Sequence, residues 1–591
     1  MSNELLSLSI GKDVYASLVD NNCYYVDKTP LLKTCFKDDS SQVLLITRPR
    51  RFGKTLTMSM FSSFLGINYD NPMDLSRHQE LFKNREILKD KDFCEKFMGK
   101  YPVIFISFKS VAGKDFYTAC SELSEVINLA SRKLTFLLDS DKLDEFDKQD
   151  FRALLDAKLM RDEPSKITLK KSLQKLTIFL YKHFKQKCIL LIDEYDVPLA
   201  KASSCDYYSD MVELIRSMFD SALKSNDDYL QKAVLTGCLR VSKESIFTGM
   251  NNLSVNTIYS TDPDFATGIG FTKEETEIML DYYGLGDYKS LVKANYDGYN
   301  FNNNEMYCAW DVVCFCKDAK KDLTQNNVIF RNYWTDTSSN QIVADFLDYL
   351  TPSDADKMQT LIDGGCILEK VRVDMSYEDL KNHTSNDFWS LLAYTGYLTV
   401  AMPSNFNVDK EPLQFKLPNA SVKDCFMSKI KDYYEANHQQ LKNASAITKA
   451  ALLGNTQELK NEIKKVLQRY ISVRDFSRGN IKEYYYHAFL NGYFSTQTSA
   501  ITNYSSNVEA GDGFADISFE ADDVAVIIEI KQTDSPENIV PKAQEALSQI
   551  KDKKYYQFFI TKDPEKTVLC YGISFCKKDC YVVLDKICTK D

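Results

Sequence analysis

Two stretches of this sequence hold residue types whose spacing suits phosphate chemistry. The first is Arg48-Pro-Arg-Arg-Phe-Gly-Lys-Thr55, which follows the apolar run Val43-Leu-Leu-Ile-Thr47 and opens a helical pattern that runs to about Leu65. Backbone N–H groups at a helix N-terminus cradle phosphate oxygens, and the helix dipole favours their negative charge. Gly53 lets the backbone come close, Lys54 reaches the outer phosphates, and the Thr55 hydroxyl suits Mg²⁺. The first glycine of the common G-x-x-x-x-G-K-[ST] spacing is replaced by Arg48, so a basic turn capping a helix is the plain alternative. The apolar run Cys188-Ile-Leu-Leu-Ile, ending in Asp193 and Glu194, weighs against that alternative. In a parallel sheet, an acid at the carboxyl end of a strand faces the crevice where ligands bind. Asp193 is suited to hold Mg²⁺ through water, and Glu194 to orient and deprotonate an attacking water. A further strand ends at Thr236, beside the Asp193 strand, where its hydroxyl can sense the terminal phosphate. Arg240 follows as a source of transition-state charge or, equally, as a surface ion pair.

The second stretch lies near the C-terminus. Ala515-Asp516 opens one strand and Glu529-Ile-Lys531 ends the next. Residues two apart on a strand share a face, so Glu529 and Lys531 point together, and a hairpin brings Asp516 beside them. Two carboxylates and the Ile530 carbonyl form a hard oxygen set suited to Mg²⁺. Such an ion polarises a phosphodiester and activates water, while the lysine positions that water or offsets developing charge. Glu483, on the preceding helix, can complete the metal set. Gln549, on the following helix, is expected to orient Lys531. A solvated strand end with an ion pair is the plain alternative. The apolar run Val524 to Ile528 argues against it, because it makes this a buried central strand.

These side chains need a scaffold. Up to about residue 240, strands of four to seven apolar residues alternate with helical patterns at Lys54–Leu65, about Lys114 to Leu138, Leu169 to Phe184 and Tyr208 to Lys224. That alternation predicts α/β architecture, with a parallel P-loop NTPase sheet covered on both faces. From 241 to 470 the pattern is polar, aromatic-rich and mostly helical. From 471 to 591 it becomes a small α/β unit: a helix over Ile481 to Phe494, strands at Ala515 to Glu520, Val524 to Ile530, Tyr556 to Thr561 and Tyr581 to Leu584, and a helix over Glu537 to Lys551. The expected domains are therefore 1–240, 241–470 and 471–591.

Composition bounds the function classes. The chain has 591 residues, 44% of them hydrophobic, so several packed cores are affordable. Its net charge of −10 argues against a surface that grips nucleic acid everywhere, though not against a local basic groove. No apolar run approaches the roughly 18 residues of a membrane span, and Met1 to Lys12 lacks the pattern of a signal peptide. The expectation is a cytoplasmic protein with no membrane partner. The 16 cysteines are scattered without paired CxxC motifs and read as reduced thiols.

Together these motifs resemble the AAA-ATPase-like family with its usual C-terminal partner, a restriction-endonuclease-like PD-(D/E)XK nuclease superfamily domain. The resemblance is carried by Tyr24-Tyr-Val-Asp-Lys-Thr29, Arg48–Thr55 (the family's own form of the phosphate loop), Leu235-Thr-Gly237 and Phe247-Thr-Gly-Met-Asn-Asn-Leu253. It continues through Tyr296-Asp-Gly-Tyr299, Ala393-Tyr-Thr-Gly-Tyr-Leu-Thr399, Tyr484-Tyr-Tyr-His-Ala-Phe489, Gly513-Phe-Ala-Asp516 and Ile528-Glu-Ile-Lys531. Departures fall at Asn295 (usually Trp), Cys308-Ala309 (Asn-Pro), Ser421 (Glu) and Phe514 (Arg); none is an expected ligand, but Phe514 removes a positive charge beside Asp516.

The resemblance implies a STAND-like or archaeal-type ATPase that regulates an attached nuclease, in prokaryotic proteins associated with defence or mobile elements. It implies ATP and Mg²⁺ as cofactors, with Arg51, Gly53, Lys54, Thr55, Asp193, Thr236 and Arg240 at the nucleotide. Thr55 and Asp193 would hold its metal; Glu483, Asp516, Glu529 and Ile530 would hold the nuclease metal. The catalytic set would be Glu194, Asp516, Glu529, Lys531 and Gln549. DNA or RNA is the implied partner, and a homo-oligomer is left open because AAA-like rings place a neighbour's arginine at the nucleotide. Two other readings stand beside it: a nucleotide-switched module that binds nucleic acid or protein without cutting, and a bare ATPase motor.

Overall fold

The computed structural model describes residues 5–37, 41–239, 246–247, 250–260, 262–322, 328–334, 352–362, 364–372, 377, 379, 384–401, 411–437, 445–470, 483–495, 501–510, 513–521 and 523–587. The chain divides into two compact units. One is Met1–Ser339 with Gly364–Cys425, and the other is Asn340–Asp363 with Phe426–Asp591. The composition changes near residues 240 and 470 do not coincide with this division.

The first unit is built on five parallel strands: β1 (Val43–Thr47), β2 (Val103–Ser107), β3 (Cys188–Asp193), β4 (Leu230–Gly237) and β5 (Leu253–Asn256), in the order β2-β3-β4-β1-β5. Every residue of β1 and β3 is buried, as a parallel sheet covered on both faces requires. Helices α1 (Lys54–Leu65), α2 (Phe116–Arg132) and α3 (Ile167–Phe184) pack among these strands. The short α4 (Val197–Ala202) and then α5 (Tyr208–Phe219) follow β3. The Asp115 side chain caps α2 by accepting the Thr118 N–H. That helix ends at Arg132 rather than near Leu138, because a 3₁₀ turn at Thr135–Asp139 replaces its last turn.

The middle segment is mostly helical but not wholly so. It adds α6 (Ala309–Asp322) and α7 (Ser385–Thr395) and two small sheets of short strands. The first holds β6 (Phe271–Thr272), β7 (Tyr299–Phe301) and β8 (Asn304–Tyr307); the second holds β9 (Ile367–Glu369), β10 (Thr399–Val400) and β11 (Leu413–Lys416). Strands this short carry too few alternations to be read from sequence.

The second unit contains a mixed sheet in sequential order: β12 (Thr502–Ala510), β13 (Gly513–Ala521), β14 (Val524–Gln532), β15 (Thr567–Cys576) and β16 (Asp579–Ile587). Helix α8 (Glu483–Ser495) precedes it; α9 (Ile539–Asp552) and α10 (Gln557–Lys562) supply the crossover that the parallel β14–β15 pair demands. Central β14 is covered on both sides. Val526, Ile528 and Ile530 pack with Tyr486, Leu490 and Phe494, whereas Ala525 and Ile527 pack with Ile550, Tyr555 and Phe559.

The strand expected at Tyr556 to Thr561 is instead helix α10. Its aromatic and β-branched residues read as a strand. Yet Tyr555 and Phe559, four apart, are buried while Phe558 is exposed, which is helical periodicity. The strand that pairs with β14 is β15, whose residues beyond Thr567 are all buried. No helix among the described residues is long and apolar enough to cross a membrane. All described cysteines are free.

Candidate functional site

The phosphate loop leaves β1 and enters α1 through Gly53, whose φ of +98° lies in the left-handed region. Nothing lies within 4 Å of where a Cβ would stand, so this glycine answers to backbone conformation and not to crowding. Arg48 is 1% exposed and acts as a strut. Its guanidinium donates to the carbonyls of Thr47 (2.8 Å) and Phe265 (2.6 Å) and to Asn256 Oδ1 (3.0 Å), tying the start of the loop to the end of β5. Burial pulls its pKa down to about 10, which leaves it charged at neutral pH.

Lys54 is buried, and its Nζ donates to the Arg48 and Pro49 carbonyls at 3.1 Å each. The Glu194 carboxylate stands 3.9 Å from the same Nζ. Asp193, fully buried at the end of β3, accepts from the Thr55 hydroxyl (2.8 Å) at Oδ2 and from the Thr236 hydroxyl (2.7 Å) at Oδ1. The Ser107 hydroxyl also reaches Oδ2, at 3.2 Å. Lys54, Thr55, Asp193, Glu194 and Thr236 thus meet at the carboxyl edge of β1, β4 and β3. Burial, then the Glu194 charge, holds the Asp193 carboxyl above its usual range, against the pull of the two threonine hydroxyls and Lys54. A buried acid of this kind, beside hydroxyl oxygens, fits a hard divalent cation, whose charge would offset the desolvation. Glu194 itself has φ +54°. A non-glycine residue held there stores strain of order 1–3 kcal/mol. Bonds from the Tyr195 N–H to the Thr236 carbonyl and from the Val197 N–H to the Glu194 carbonyl brace the bend.

The second cluster sits at the end of β14. Antiparallel pairing runs up to Ile517 opposite Ile528 and so brings Asp516 and Glu529 to adjoining positions. Asp516 Oδ2 accepts the Ile530 N–H at 2.7 Å. Lys531 Nζ lies 3.3 Å from Glu483 Oε1 and 3.5 Å from Glu529 Oε1. Glu529 is 2% exposed, and its Oε2 has no hydrogen-bond partner among the described residues. Burial, then the Asp516 charge, pushes the Glu529 carboxyl up to about 8. Burial likewise raises Glu483. Burial opposes the Lys531 charge, but Glu483, Glu529 and Asp516 outweigh it, and its pKa rises. A buried acid with an orphaned oxygen and too little compensating positive charge fits a divalent cation. Among the described residues no three His, Cys, Asp or Glu side chains stand close enough together to hold an ion, so Glu483, Asp516 and Glu529 do not form a closed ligand set as they stand.

Comparison with known families decides what these edges belong to. Residues 9–247 match the family described as predicted AAA-ATPase, and residues 481–584 match the PD-(D/E)XK nuclease superfamily. The chain joins an AAA-ATPase-like domain to a PD-(D/E)XK nuclease superfamily domain. It is also 22% identical over 422 residues to an uncharacterized protein in the vnfD 5'region of Azotobacter chroococcum mcd 1, covering 70% of this chain and 68% of that one.

Within the AAA-ATPase-like domain, Arg51 is not with the lysine cluster. Its guanidinium lies over the Trp310 ring (5.3 Å) and donates to the Tyr333 carbonyl, and its own carbonyl accepts the Trp310 N–H. Arg240 lies outside the described residues. Asp196 is a site residue that sequence reasoning missed. It is 2% exposed, and its Oδ2 accepts the N–H groups of Cys238 and Leu239 at 3.0 Å each and the Tyr377 hydroxyl at 3.3 Å. An Asp ahead of Val197-Pro198 reads as a helix cap; here its side chain makes no cap bond and instead holds the end of β4.

In the nuclease superfamily domain, Gln549 donates to Glu529 Oε1, not to Lys531 as the sequence suggested. The reason is the path of α9. It crosses β15 at Gly572, the partner of Glu529 in the sheet, where a Cβ would stand 2.2 Å from the Ala543 carbonyl oxygen. The Tyr555 hydroxyl lies 3.4 Å from Gln549 Nε2. His487, one turn along α8 from Glu483, was also missed: its Nε2 pairs with the Asp516 carbonyl (2.9 Å) and the Ser506 hydroxyl (3.2 Å). Its traces in the sequence were the Glu-x-x-x-His spacing on a helix and its place in Tyr484-Tyr-Tyr-His-Ala-Phe489.

Proposed function

We propose that the AAA-ATPase-like domain binds and hydrolyses ATP with Mg²⁺, and thereby regulates a metal-dependent phosphodiesterase in the nuclease superfamily domain that acts on DNA or RNA. The observation that carries this reading is that two apolar strands, β3 and β14, each carry a buried acid near their carboxyl ends with a lysine close by: Asp193, followed by the half-buried Glu194 at 3.9 Å from Lys54, and Glu529 at 3.5 Å from Lys531.

In the ATPase, the Lys54 ammonium leaves the loop carbonyls to bind outer phosphate oxygens, Thr55 and Asp193 would hold the metal, and Thr236 faces the terminal phosphate. Glu194 takes the proton of the attacking water. In the nuclease, Asp516, Glu529, the Ile530 carbonyl and Glu483 would hold the cation, which when bound polarises the phosphodiester and acidifies water. Lys531 positions that water and offsets charge on the transition state. Gln549 and His487 fix Glu529 and Asp516 in place. The family resemblance is what supports a role in defence or mobile-element biology.

The test is a cleavage assay on linear DNA, circular DNA and RNA, in Mg²⁺ and in Mn²⁺, with and without ATP. Cutting by the wild type and its loss in Lys531→Ala, by about 10²-fold or more, is expected, and the ATP dependence gives the direction of coupling. Intact ATP hydrolysis with no cutting on any substrate would turn the reading to a nucleotide-switched binding module.

A further inference from the structure

The phosphate loop is bulky where a plain cradle needs only backbone. Arg48, Pro49, Arg51 and Phe52 all precede Gly53, and each rests on the middle segment. The Arg48 guanidinium, bonded to the Phe265 carbonyl, also lies over the Phe301 ring at 5.6 Å. Pro49 is so close to Gly396 that a Cβ on that glycine would stand 2.9 Å from Pro49 Cβ. Phe52 is 1% exposed, and its ring meets Tyr299 edge-on at 5.0 Å and Phe301 at 5.3 Å. A Cβ on Gly270 would stand 2.7 Å from the same ring. Arg51 lies over the Trp310 ring at 5.3 Å and donates to the Tyr333 carbonyl, while its own carbonyl accepts the Trp310 N–H at 3.3 Å.

These seats are joined to one another. The Tyr299 hydroxyl donates to the Gly396 carbonyl at 3.0 Å, so Pro49 and Phe52 press on one structure. Tyr299 and Phe301 lie on β7, which pairs with β8, and β8 leads into α6 beside Trp310. Tyr333 belongs to a segment past the far end of α6, where Arg331 pairs with Asp322 at 2.7 Å. Arg51 thus holds both the start of α6 and the segment tied to its end.

The same loop is braced from within by Lys54, whose Nζ donates to the Arg48 and Pro49 carbonyls at 3.1 Å each. Phosphate oxygens that take the ammonium remove that charged donor from both carbonyls, and the loop settles differently. Close-packed rings have few alternative arrangements, so they pass a displacement on instead of absorbing it. Arg51, at φ +66°, is strained for a residue with a side chain, and such a conformation persists only where its surroundings hold it. We propose that Arg51 and Phe52 couple the nucleotide to the middle segment. Binding of the ATP phosphates at Lys54 displaces the loop; Phe52 passes the displacement to β7, and Arg51 passes it to the segment that contains Tyr333. Neither residue touches the reacting atoms, and binding suffices without hydrolysis. This rests on the reading of the first unit as an ATPase and supplies the first step of its regulation.

The test is amide hydrogen exchange of the full chain by mass spectrometry, with and without a nonhydrolysable ATP analogue and Mg²⁺. In the wild type, exchange over residues 299–306 and 328–334 is expected to change by about 5-fold or more on binding, the lower end of allosteric couplings. Lys54→Ala, at the same analogue concentration, should show neither change. Phe52→Leu, at saturating analogue, should lose the change over 299–306 and keep that over 328–334. Arg51→Ala, which deletes the guanidinium and keeps the carbonyl, should do the reverse. A residue that only supports the fold would shift exchange equally with and without the analogue and leave the difference intact.

A wild type that binds the analogue with exchange unchanged in both segments would overturn the proposal alone, as would full responses in both Phe52→Leu and Arg51→Ala. A wild type that binds no nucleotide would overturn the ATPase reading and this proposal with it. Should either variant not fold, Phe52→Met and Arg51→Gln, which keep more of the side-chain volume, decide in its place: undiminished responses there exclude the coupling.

Discussion

At the scale of single residues, the proposed phosphate site depends on buried charges whose partners come from distant parts of the chain. Asp196 is the clearest case: it accepts two backbone N–H groups at the end of β4. Asp196→Ala leaves both without an acceptor, and each buried group left unsatisfied costs about 1–3 kcal/mol. Denaturant melts should show a loss on that scale, and hydrolysis should fall with it because the β4 end carries Thr236. Asp311 supplies a pH test away from the residues proposed to hold metal. It is fully buried in α6, and burial pushes its carboxyl up to about 7, against the pull of Cys308 and Arg51. Because its folded pKa is raised, the folded state keeps this proton longer than the unfolded chain does. Stability therefore falls as pH rises from the ordinary Asp range towards 7, by at most about 1.4 kcal/mol per unit, and is level above it. In Asp311→Asn that slope should vanish; an unchanged pH profile of the melting temperature would refute the assignment.

At the scale of elements, the candidate nuclease site is set by how closely α9 lies on β15. Gly572 permits the approach, and Glu529, its partner on β14, receives Gln549 from the helix. In Gly572→Ala the new methyl meets the backbone of Ala543 and Leu547, which cannot swing aside as a side chain can. A cost of about 1–3 kcal/mol is expected for such overpacking. A displaced Gln549 should also weaken Mn²⁺ binding, as titration calorimetry would reveal. A variant with wild-type stability and wild-type Mn²⁺ affinity would show that α9 does not position Glu529. The same packing explains why Tyr556 to Thr561 misleads as a strand. The β14 edge is filled by β15, and the aromatic run before it has only a helical face left to bury.

At the scale of the whole molecule, the chain forms two compact units, each with its own sheet and its own acidic edge. Calorimetry should then resolve two transitions, since separate cores need not melt together. A nonhydrolysable ATP analogue at 100 times its Kd should stabilise the unit that contains Lys54 by about 2.7 kcal/mol and leave the other in place. Mn²⁺ without nucleotide should do the reverse. A single transition that moves with both ligands would mean that the two units unfold as one.

Much of the local geometry of the two candidate sites was legible in the sequence because it spans only a few residues. An apolar strand that ends in Asp193-Glu194, a Gly-Lys-Thr that opens a helix, and Glu529 and Lys531 two apart on a strand are all consequences of chain geometry over a few residues. Neighbours brought together by pairing and packing were not legible. The position of β4 between β3 and β1 gives Asp193 its second hydroxyl partner, Thr236, across a gap of 43 positions. Arg51 stands in the loop like any other arginine of the sequence, and only the surrounding fold turns it to Trp310. Asp196 looks like a cap, and Gln549 like a partner for Lys531, until the β4 end and the path of α9 are known. Spacing along the chain limits what lies within one turn or one strand; which strand pairs with which, and how closely a helix can settle on it, is decided by burial of the whole core.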